Sequence, residues 1–419
     1  MAEREVEVTV RIGEDEVLAG RLWSHRRRDT ESQTFSYDTD YLSQDGAYAL
    51  DPLLPLFAGQ QHTPAARAIF GAFSDSAPDR WGRRLIARNE RKRVKREGGT
   101  ARSFGETDYL LGVRDDLRQG ALRFRDPESK SFLAADTGVP SLLELPKLLG
   151  AAERLERDEE SEEELATLLR GGSSLGGARP KAHVLDRGGH IAIAKFPSPA
   201  ADEWDVMRWE AVAVQLARDA GIRVADSKLH VIDGKSVLVI ERFDRAGLRR
   251  VGYVSALTML ERSNGDRGSY IEIADVIIRH SPHAARDLHE LWRRIAFSIL
   301  ISNFDDHLRN HGFLRTSSSG WSLSPAFDVN PDPRPGERHL NTAVDLDDTE
   351  AQVELLMDVA GEFRLTSLQA LDVLGEVTRA TTRWQRVAAT LAVGEDEIEL
   401  MEPAFEHEAS TTARALVGG

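Results

Sequence analysis

The 419-residue sequence contains no cysteine. That removes disulfide scaffolds, thiolate zinc sites, iron–sulfur clusters and a cysteine nucleophile from consideration. Also missing is any apolar run near the ~18 residues that a membrane span needs. The opening Met1-Ala2-Glu3-Arg4-Glu5 lacks the hydrophobic stretch of a secretory leader. A soluble, cytoplasmic protein with no membrane partner is therefore expected. Excess positive charge is lacking as well. Lys and Arg number 54 against 69 Asp and Glu, a net charge of −15, so the molecule as a whole should repel nucleic acid.

What is present is globular in proportion. Hydrophobic residues make up 41% and charged residues 29%, a balance that can bury a core. The length predicts two to three domains, because single cores stop growing near ~250–300 residues. The charge is patchy. Residues 80–96 hold nine Lys or Arg against Glu90 alone, and residues 153–164 hold eight acids against Arg154 and Arg157. Each run reads as a solvated helix face, with contact to DNA backbone or a charged partner as the alternative.

Residues 5–10 alternate at period two and turn at Gly13 into 17–22, a β-hairpin, followed by a strand at 33–37. The pattern predicts helix over 63–95, broken at Ser76-Ala77-Pro78-Asp79 with Asp79 as a cap, and a long helix over 141–169 ended by Gly171-Gly172. A second hairpin is expected at 184–195 around Arg187-Gly188-Gly189, then a helix over 204–220 closed by Gly221. Strands follow at 229–232 and 236–240, and the most apolar helix of the chain at 283–303. From about 353 the pattern is helical. With β first and α last, the organisation is that of a two-lobed enzyme with an added N-terminal piece.

Four clusters carry chemistry. Gly171-Gly172-Ser173-Ser174-Leu175-Gly176-Gly177-Ala178-Arg179-Pro180-Lys181 leads into a strand, and glycines let consecutive N–H groups converge on a phosphate, although such a turn also serves as a plain connection. Lys195 ends an otherwise apolar strand, where an ammonium needs a partner; Glu210 in the next helix is placed to be one, as in a kinase lysine–glutamate pair. Asp305-Asp306-His307-Leu308-Arg309-Asn310 puts an aspartate and an asparagine five apart, the separation of base and metal ligand in a kinase catalytic loop. A hairpin over 312–323 then returns Asp328 beside that loop, where a second metal carboxylate belongs.

Taken together, these residues resemble the HipA-type serine/threonine kinases, the toxins of bacterial toxin–antitoxin pairs. The resemblance rests on Ser174-Leu175-Gly176-Gly177-Ala178-Arg179-Pro180-Lys181, Lys195-Phe196-Pro197 and Glu241-Arg242-Phe243-Asp244. Asp305-Asp306-His307-Leu308-Arg309-Asn310 and Pro325-Ala326-Phe327-Asp328 complete it, over residues 170–330. It implies an α+β, two-lobed protein-kinase-like fold with a β-rich N-terminal subdomain (1–105), an N-lobe (106–245) and an all-helical C-terminal lobe (246–419). It further implies ATP and Mg²⁺ as cofactors, with Asp305 as catalytic base and Asn310 and Asp328 holding the metal. Gly176, Gly177, Ala178, Lys181, Lys195, Glu241, Phe243 and His307 would line the ATP site with those two, and Ser174 would be the autophosphorylated serine. The implied partners are a protein substrate with a Ser/Thr acceptor, such as an aminoacyl-tRNA synthetase, and a small helix-turn-helix antitoxin, with DNA met only through the antitoxin complex.

Departures from the ordinary protein-kinase pattern agree with this resemblance. His307 follows Asp305 rather than preceding it, Phe327 precedes Asp328, and no Ala-Pro-Glu occurs. Phe304 stands where a smaller residue is expected. Two alternatives stay open at the level of sequence: a small-molecule phosphotransferase on the same fold, and a non-catalytic corepressor bracing an antitoxin on DNA.

Overall fold

The computed structural model describes residues 2–27, 30–135, 138–172, 177, 179–247, 249–336 and 338–418. The chain begins with an antiparallel sheet of β1 (Ala2–Ile12), β2 (Asp15–Arg27), β3 (Thr30–Tyr37), β4 (Gln60–His62) and β5 (Arg123–Arg125), ordered β4-β3-β2-β1-β5. Alternation in β1 buries Val6, Val8 and Val10 on one face, opposite Leu22 and its neighbours. The other face is covered too. Glu7 is buried there, accepting from Arg125 Nε and Lys130 Nζ at 2.7 Å each. Because β5 pairs with β1, the chain returns to this sheet after the expected residue-105 boundary.

Helix begins later than the apolar spacing over 63–95 suggested. Gln60–His62 is strand, and helices run only over Gly71–Asp75 and Arg80–Glu97. Ile69 and Phe70 fill the first core from an irregular segment, so their spacing reflects packing and not helical rise. The expected long helix over 141–169 is likewise divided. A short 3₁₀ turn (Leu142–Glu144) leads into Leu145–Glu156, and a second helix covers Glu162–Arg170. Asp158 takes a left-handed φ of 59° between them, and Ser161 with Glu164 restarts the helix through a capping box.

The next sheet contains β6 (Lys181–Leu185), β7 (Ile191–Lys195), β8 (Ser227–Ile232) and β9 (Lys235–Glu241), ordered β6-β7-β9-β8, with helix Val206–Asp219 between β7 and β8. Trp81 and Leu85 of helix Arg80–Glu97 pack into the core of this sheet, beside Ala182, Ala194 and Val237. A small ribbon of β10 (Arg245–Ala246) and β11 (Arg249–Arg250) follows.

The C-terminal lobe is mainly helical. It also carries a three-stranded sheet, β12 (Gly252–Ser255), β13 (Gly312–Ser317) and β14 (Gly320–Leu323), which includes the hairpin expected over 312–323. Its central helix, Ala284–Leu300, is buried through Leu288, Leu291, Trp292, Ile295 and Phe297. It stops where Ser302 turns to φ 56° and donates to Ala404 O at 2.8 Å. The architecture is thus a two-lobed, kinase-like fold on which the N-terminal sheet and helices are docked. Among the described residues, no helix is long and apolar enough to cross a membrane.

The two charged runs of the sequence meet each other. Arg88 pairs with Glu160 (2.6 Å) and Asp158 (3.1 Å), Lys92 with Glu160 (2.9 Å) and Arg96 with Glu162 (3.5 Å). Arg83 is held by Glu106, Arg93 by Glu90 and Glu97, and Arg84 by Leu155 O. Much of the positive charge read as a solvated face is therefore neutralised by the chain's own carboxylates.

Candidate active site

The site grows from two neighbouring strand ends. Lys181 opens β6, Lys195 closes β7, and the two are directly opposite in the antiparallel register. Lys195 Nζ lies 2.5 Å from Glu210 Oε1, which helix Val206–Asp219 buries behind the strand, and also donates to Asp328 Oδ1. Burial works against the Lys195 ammonium, yet Asp328 and then Glu210 outweigh it and hold its pKa above the ordinary lysine value. Burial pushes the Glu210 carboxyl up despite Lys195, whereas Asp328 is held below the usual carboxylate range because Lys195 and Lys181 overcome its burial.

Lys181 has a partner that the sequence did not reveal. Its Nζ lies 3.0 Å from Asp79 Oδ2, and its carbonyl accepts from Trp81 Nε1 at 2.9 Å. Asp79 is the expected helix cap, since its Oδ1 accepts from Gly82 N at 2.7 Å, but its second oxygen serves the lysine. Burial raises the Asp79 pKa, with Lys181 acting against that rise. Gly177 takes φ 116°, and a Cβ added there would stand 2.8 Å from Lys181 Nζ. Glycine thus permits both the backbone angle and the close approach. Ser174, Gly176 and Ala178 lie outside the described residues.

The second half of the site is the loop after helix Ala284–Leu300. Asp305 is exposed, and its Oδ1 accepts from Asn341 Nδ2 at 3.3 Å. Asn310 Nδ2 donates to Asp305 O at 2.8 Å, which fixes the amide and aims its carbonyl oxygen elsewhere. Asp306 points the other way, into the lobe. Tyr270 OH donates to it, and His311 Nε2 lies 2.8 Å from its Oδ1. Burial opposes the Asp306 charge, but His311 and Tyr270 hold its pKa below the carboxylate norm. The Asp306 carbonyl accepts from Thr342 Oγ1 at 2.6 Å. Adjacent aspartates at a helix end therefore have separate tasks, one facing out and one anchoring the loop. His307 is exposed, and its N–H donates to Asp305 O at 3.1 Å. The Phe304 ring lies under the Arg338 guanidinium, 5.6 Å from it.

Asp328 sits at φ 53°, a backbone region that aspartate tolerates better than most residues and that functional loops often hold. Just before it, the Phe327 ring stands 5.4 Å from that of Phe243 in the segment after β9. The N–H of Glu241 is bonded to Asp226 O at 2.8 Å. Between Glu241 and Phe243, Arg242 turns inward and grips Asp244 through two bonds of 2.8 and 2.6 Å. Asp244 also accepts from Gly120 N at 2.7 Å, tying this segment to the stretch before β5.

The structure thus gathers Lys181, Lys195, Glu210 and Asp328 into one charged cluster, and Asp305, His307 and Asn310 into one loop. Asp79, Asn341, Tyr270 and His311 are the additions. For Asp79 only the cap is legible in the sequence. Asn341 had none, lying 36 residues beyond the carboxylate it contacts.

Comparison with known proteins bears on the family and the fold. Residues 173–387 match the HipA-like C-terminal domain, and residues 10–105 match the HipA N-terminal domain. Toxin YjjJ of Escherichia coli K12 is 30% identical over 176 residues, 38% of this chain and 38% of that protein. A Haemophilus influenzae protein that bears the name of a kinase is 25% identical over 178 residues, 38% of this chain and 52% of its own length. The aligned region thus spans about half or less of each of these relatives. A chain in the Shewanella oneidensis MR-1 complex of HipA, HipB and operator DNA shares the fold, with a TM-score of 0.64 and 17% identity over 98% of this chain and 96% of that one.

Proposed function

This chain belongs to the HipA-like family, and from that premise we propose that it is an ATP-dependent serine/threonine protein kinase. The observation that carries the reading is the Lys195 ammonium shared by Glu210 and Asp328, across from a loop that presents Asp305 and Asn310. Phosphoryl transfer asks little covalent chemistry of a protein. It needs reactants held in line and charge neutralised.

In this reading Lys195 and Lys181 meet the ATP phosphates, with Gly177 of the glycine-rich segment covering them. Phe243 and the Glu241 segment border the adenine. The Asp305 carboxylate accepts the proton of a serine or threonine hydroxyl as that oxygen bonds to the γ-phosphorus. The bond from the γ-phosphorus to the β,γ-bridging oxygen breaks, and ADP leaves. The donor set fits Mg²⁺, a hard cation that takes one or two protein oxygens and completes its shell with phosphates and water. Asn310 offers a carbonyl oxygen while its amide nitrogen is tied down, and Asp328 offers its carboxylate. Bound there, the ion would neutralise charge on the phosphates.

The acceptor is read as a protein, with an aminoacyl-tRNA synthetase as the first candidate. A small helix-turn-helix antitoxin is the proposed partner, with DNA reached through it. Ser174, beside the phosphate-binding glycines, is the proposed site of self-inactivating phosphorylation, since about −1.5 to −2 charges placed there would repel the phosphates of ATP. Incubation with γ-labelled ATP and Mg²⁺, followed by separation of protein from small-molecule products, tests the reading. Label on protein, absent with Asp305→Asn, supports it. Label only on small molecules would point to a small-molecule phosphotransferase, and no transfer at all would leave a non-catalytic role.

A further inference from the structure

We infer that Asp75 and Asp79 of the N-terminal unit are positioning residues for phosphoryl transfer, one for the catalytic loop and one for the nucleotide lysine. The inference rests on the kinase reading above. Both carboxylates leave their own unit and end in opposite halves of the site.

Asp75 is the last residue of helix Gly71–Asp75 and is buried. Its Oδ1 accepts from Arg309 Nη1 at 2.8 Å. Ser255 supplies two more donors, its N–H at 2.7 Å to Oδ2 and its hydroxyl at 2.8 Å to Oδ1. Arg309 lies in the catalytic loop immediately before Asn310, and its remaining donors reach Ser74 Oγ (3.2 Å) and Asn264 Oδ1 (2.8 Å). The loop that carries Asp305 and Asn310 is thus fastened in part to a helix from the far end of the sequence.

Asp79 does the same for the other half. Its contact with Lys181 buries both side chains, which are 5% and 3% exposed. Trp81, two residues on, holds the carbonyl of the same lysine. Lys181 is therefore fixed at its backbone and at its ammonium by one short segment. The link between the two aspartates is stiff. Pro78 restricts its own φ and the residue before it. The Ser76 carbonyl accepts from Arg118 Nη1 at 3.1 Å, and the Ser76 hydroxyl donates to Ala72 O at 3.1 Å. Four residues can span at most ~14 Å, so this strut sets the separation of the nucleotide lysine from the catalytic loop.

A purely structural role would not need this arrangement. The helix cap uses only Oδ1 of Asp79, and the charge on Oδ2 goes to the lysine. Asp79→Asn keeps the cap acceptor and the side-chain size while removing that charge. It should raise the ATP KM about tenfold, equivalent to ~1.4 kcal/mol, with kcat changed less than about twofold. Asp75→Asn leaves one of the two clusters of donors without an acceptor and can cost stability, so Arg309→Gln is made beside it. Either should lower kcat about tenfold or more with the ATP KM within about twofold, and Arg309→Lys should restore part of the loss, because it keeps a donor for Asp75.

Steady-state kinetics and Mg-ATP titration of the full chain, with thermal unfolding alongside, decide the matter. Opposite KM and kcat signatures for Asp79→Asn and Arg309→Gln support the strut. Variants that shift only the melting temperature, or an Asp79→Asn chain that binds ATP more tightly, overturn it. An unsubstituted chain that neither binds nor turns over Mg-ATP overturns the kinase reading and this inference with it, and that result is visible before any variant is made.

Discussion

Lys181 and Lys195 stand directly opposite one another on β6 and β7, so two ammonium groups share one face of the sheet. Like charges in that relation destabilise a strand pair. The arrangement holds because each has its own counter-charge: Asp79 for Lys181, and Glu210 with Asp328 for Lys195. The two lysines are thereby held close together, as a polyphosphate ligand requires.

The first prediction follows from how deeply Glu210 is buried. Lys195→Met leaves that carboxylate without its cation, and breaking such a pair costs ~3–5 kcal/mol. Adding Glu210→Gln removes the uncompensated charge and should recover most of the stability. It should not recover ATP binding. Urea denaturation and nucleotide titration of the single and double variants separate the two effects, and a double variant no more stable than the single one would contradict the argument.

Asp305 and Asp328 should fail differently. Asp305→Asn removes the proton acceptor but leaves both lysines and Asp328 in place, so transfer should be lost while Mg-ATP still binds. Asp328→Ala removes an oxygen available to Mg²⁺ and also one of the two carboxylates that balance Lys195. Nucleotide affinity should fall, and its dependence on Mg²⁺ should weaken. Titrations with and without the metal compare them directly.

Gly177 offers a third test. Its φ of 116° is one that residues with a Cβ rarely adopt, and the added carbon would press on Lys181 Nζ. Gly177→Ala should therefore weaken ATP binding about tenfold or more, at a strain of ~1–3 kcal/mol. At saturating ATP, kcat should be close to that of the unsubstituted chain, because the catalytic loop is not touched. A large fall in kcat at saturation would move this loop out of a purely binding role.

What could be read from the sequence was what lies close together along it. The 303–310 loop, the Lys195 strand and the Asp328 return are local patterns, and the structure assembles them in one place. The contacts that fix their spacing are long-range. Asp79 is 102 residues from Lys181 and Asp75 is 234 from Arg309, and no periodicity reports such a pairing. The missed helix break at Asp158 has a different cause. A run of acids without Gly or Pro looks continuous, and only the Ser161–Glu164 capping box marked the new start. The charged runs at 80–96 and 153–164 were visible separately, but their mutual neutralisation depends on two helices meeting in space.

The last prediction concerns pH and His407. Its ring is largely buried near Arg338 and Arg414, and burial first, then those cations, push its pKa down to about 4. The unfolded chain would titrate it near ~6.5. Between these values the unfolded state binds the extra proton, so stability must fall as pH drops from ~6.5 toward about 4, by up to about 3 kcal/mol from this group. His183 is also buried and shifted down, and adds loss in the same direction. Asp51 acts oppositely: burial raises its pKa to about 6, so its folded form gains protons, and stability, as pH falls through that range. Both remain in a His407→Asn variant, whose amide oxygen can accept from Ser410 N as the His407 Nδ1 does. The difference between the two proteins thus isolates His407. Denaturation at pH 7 and pH 4.5 should show the variant losing less stability on acidification than the unsubstituted chain, and equal losses would mean that the ring is already free to take up a proton in the folded state.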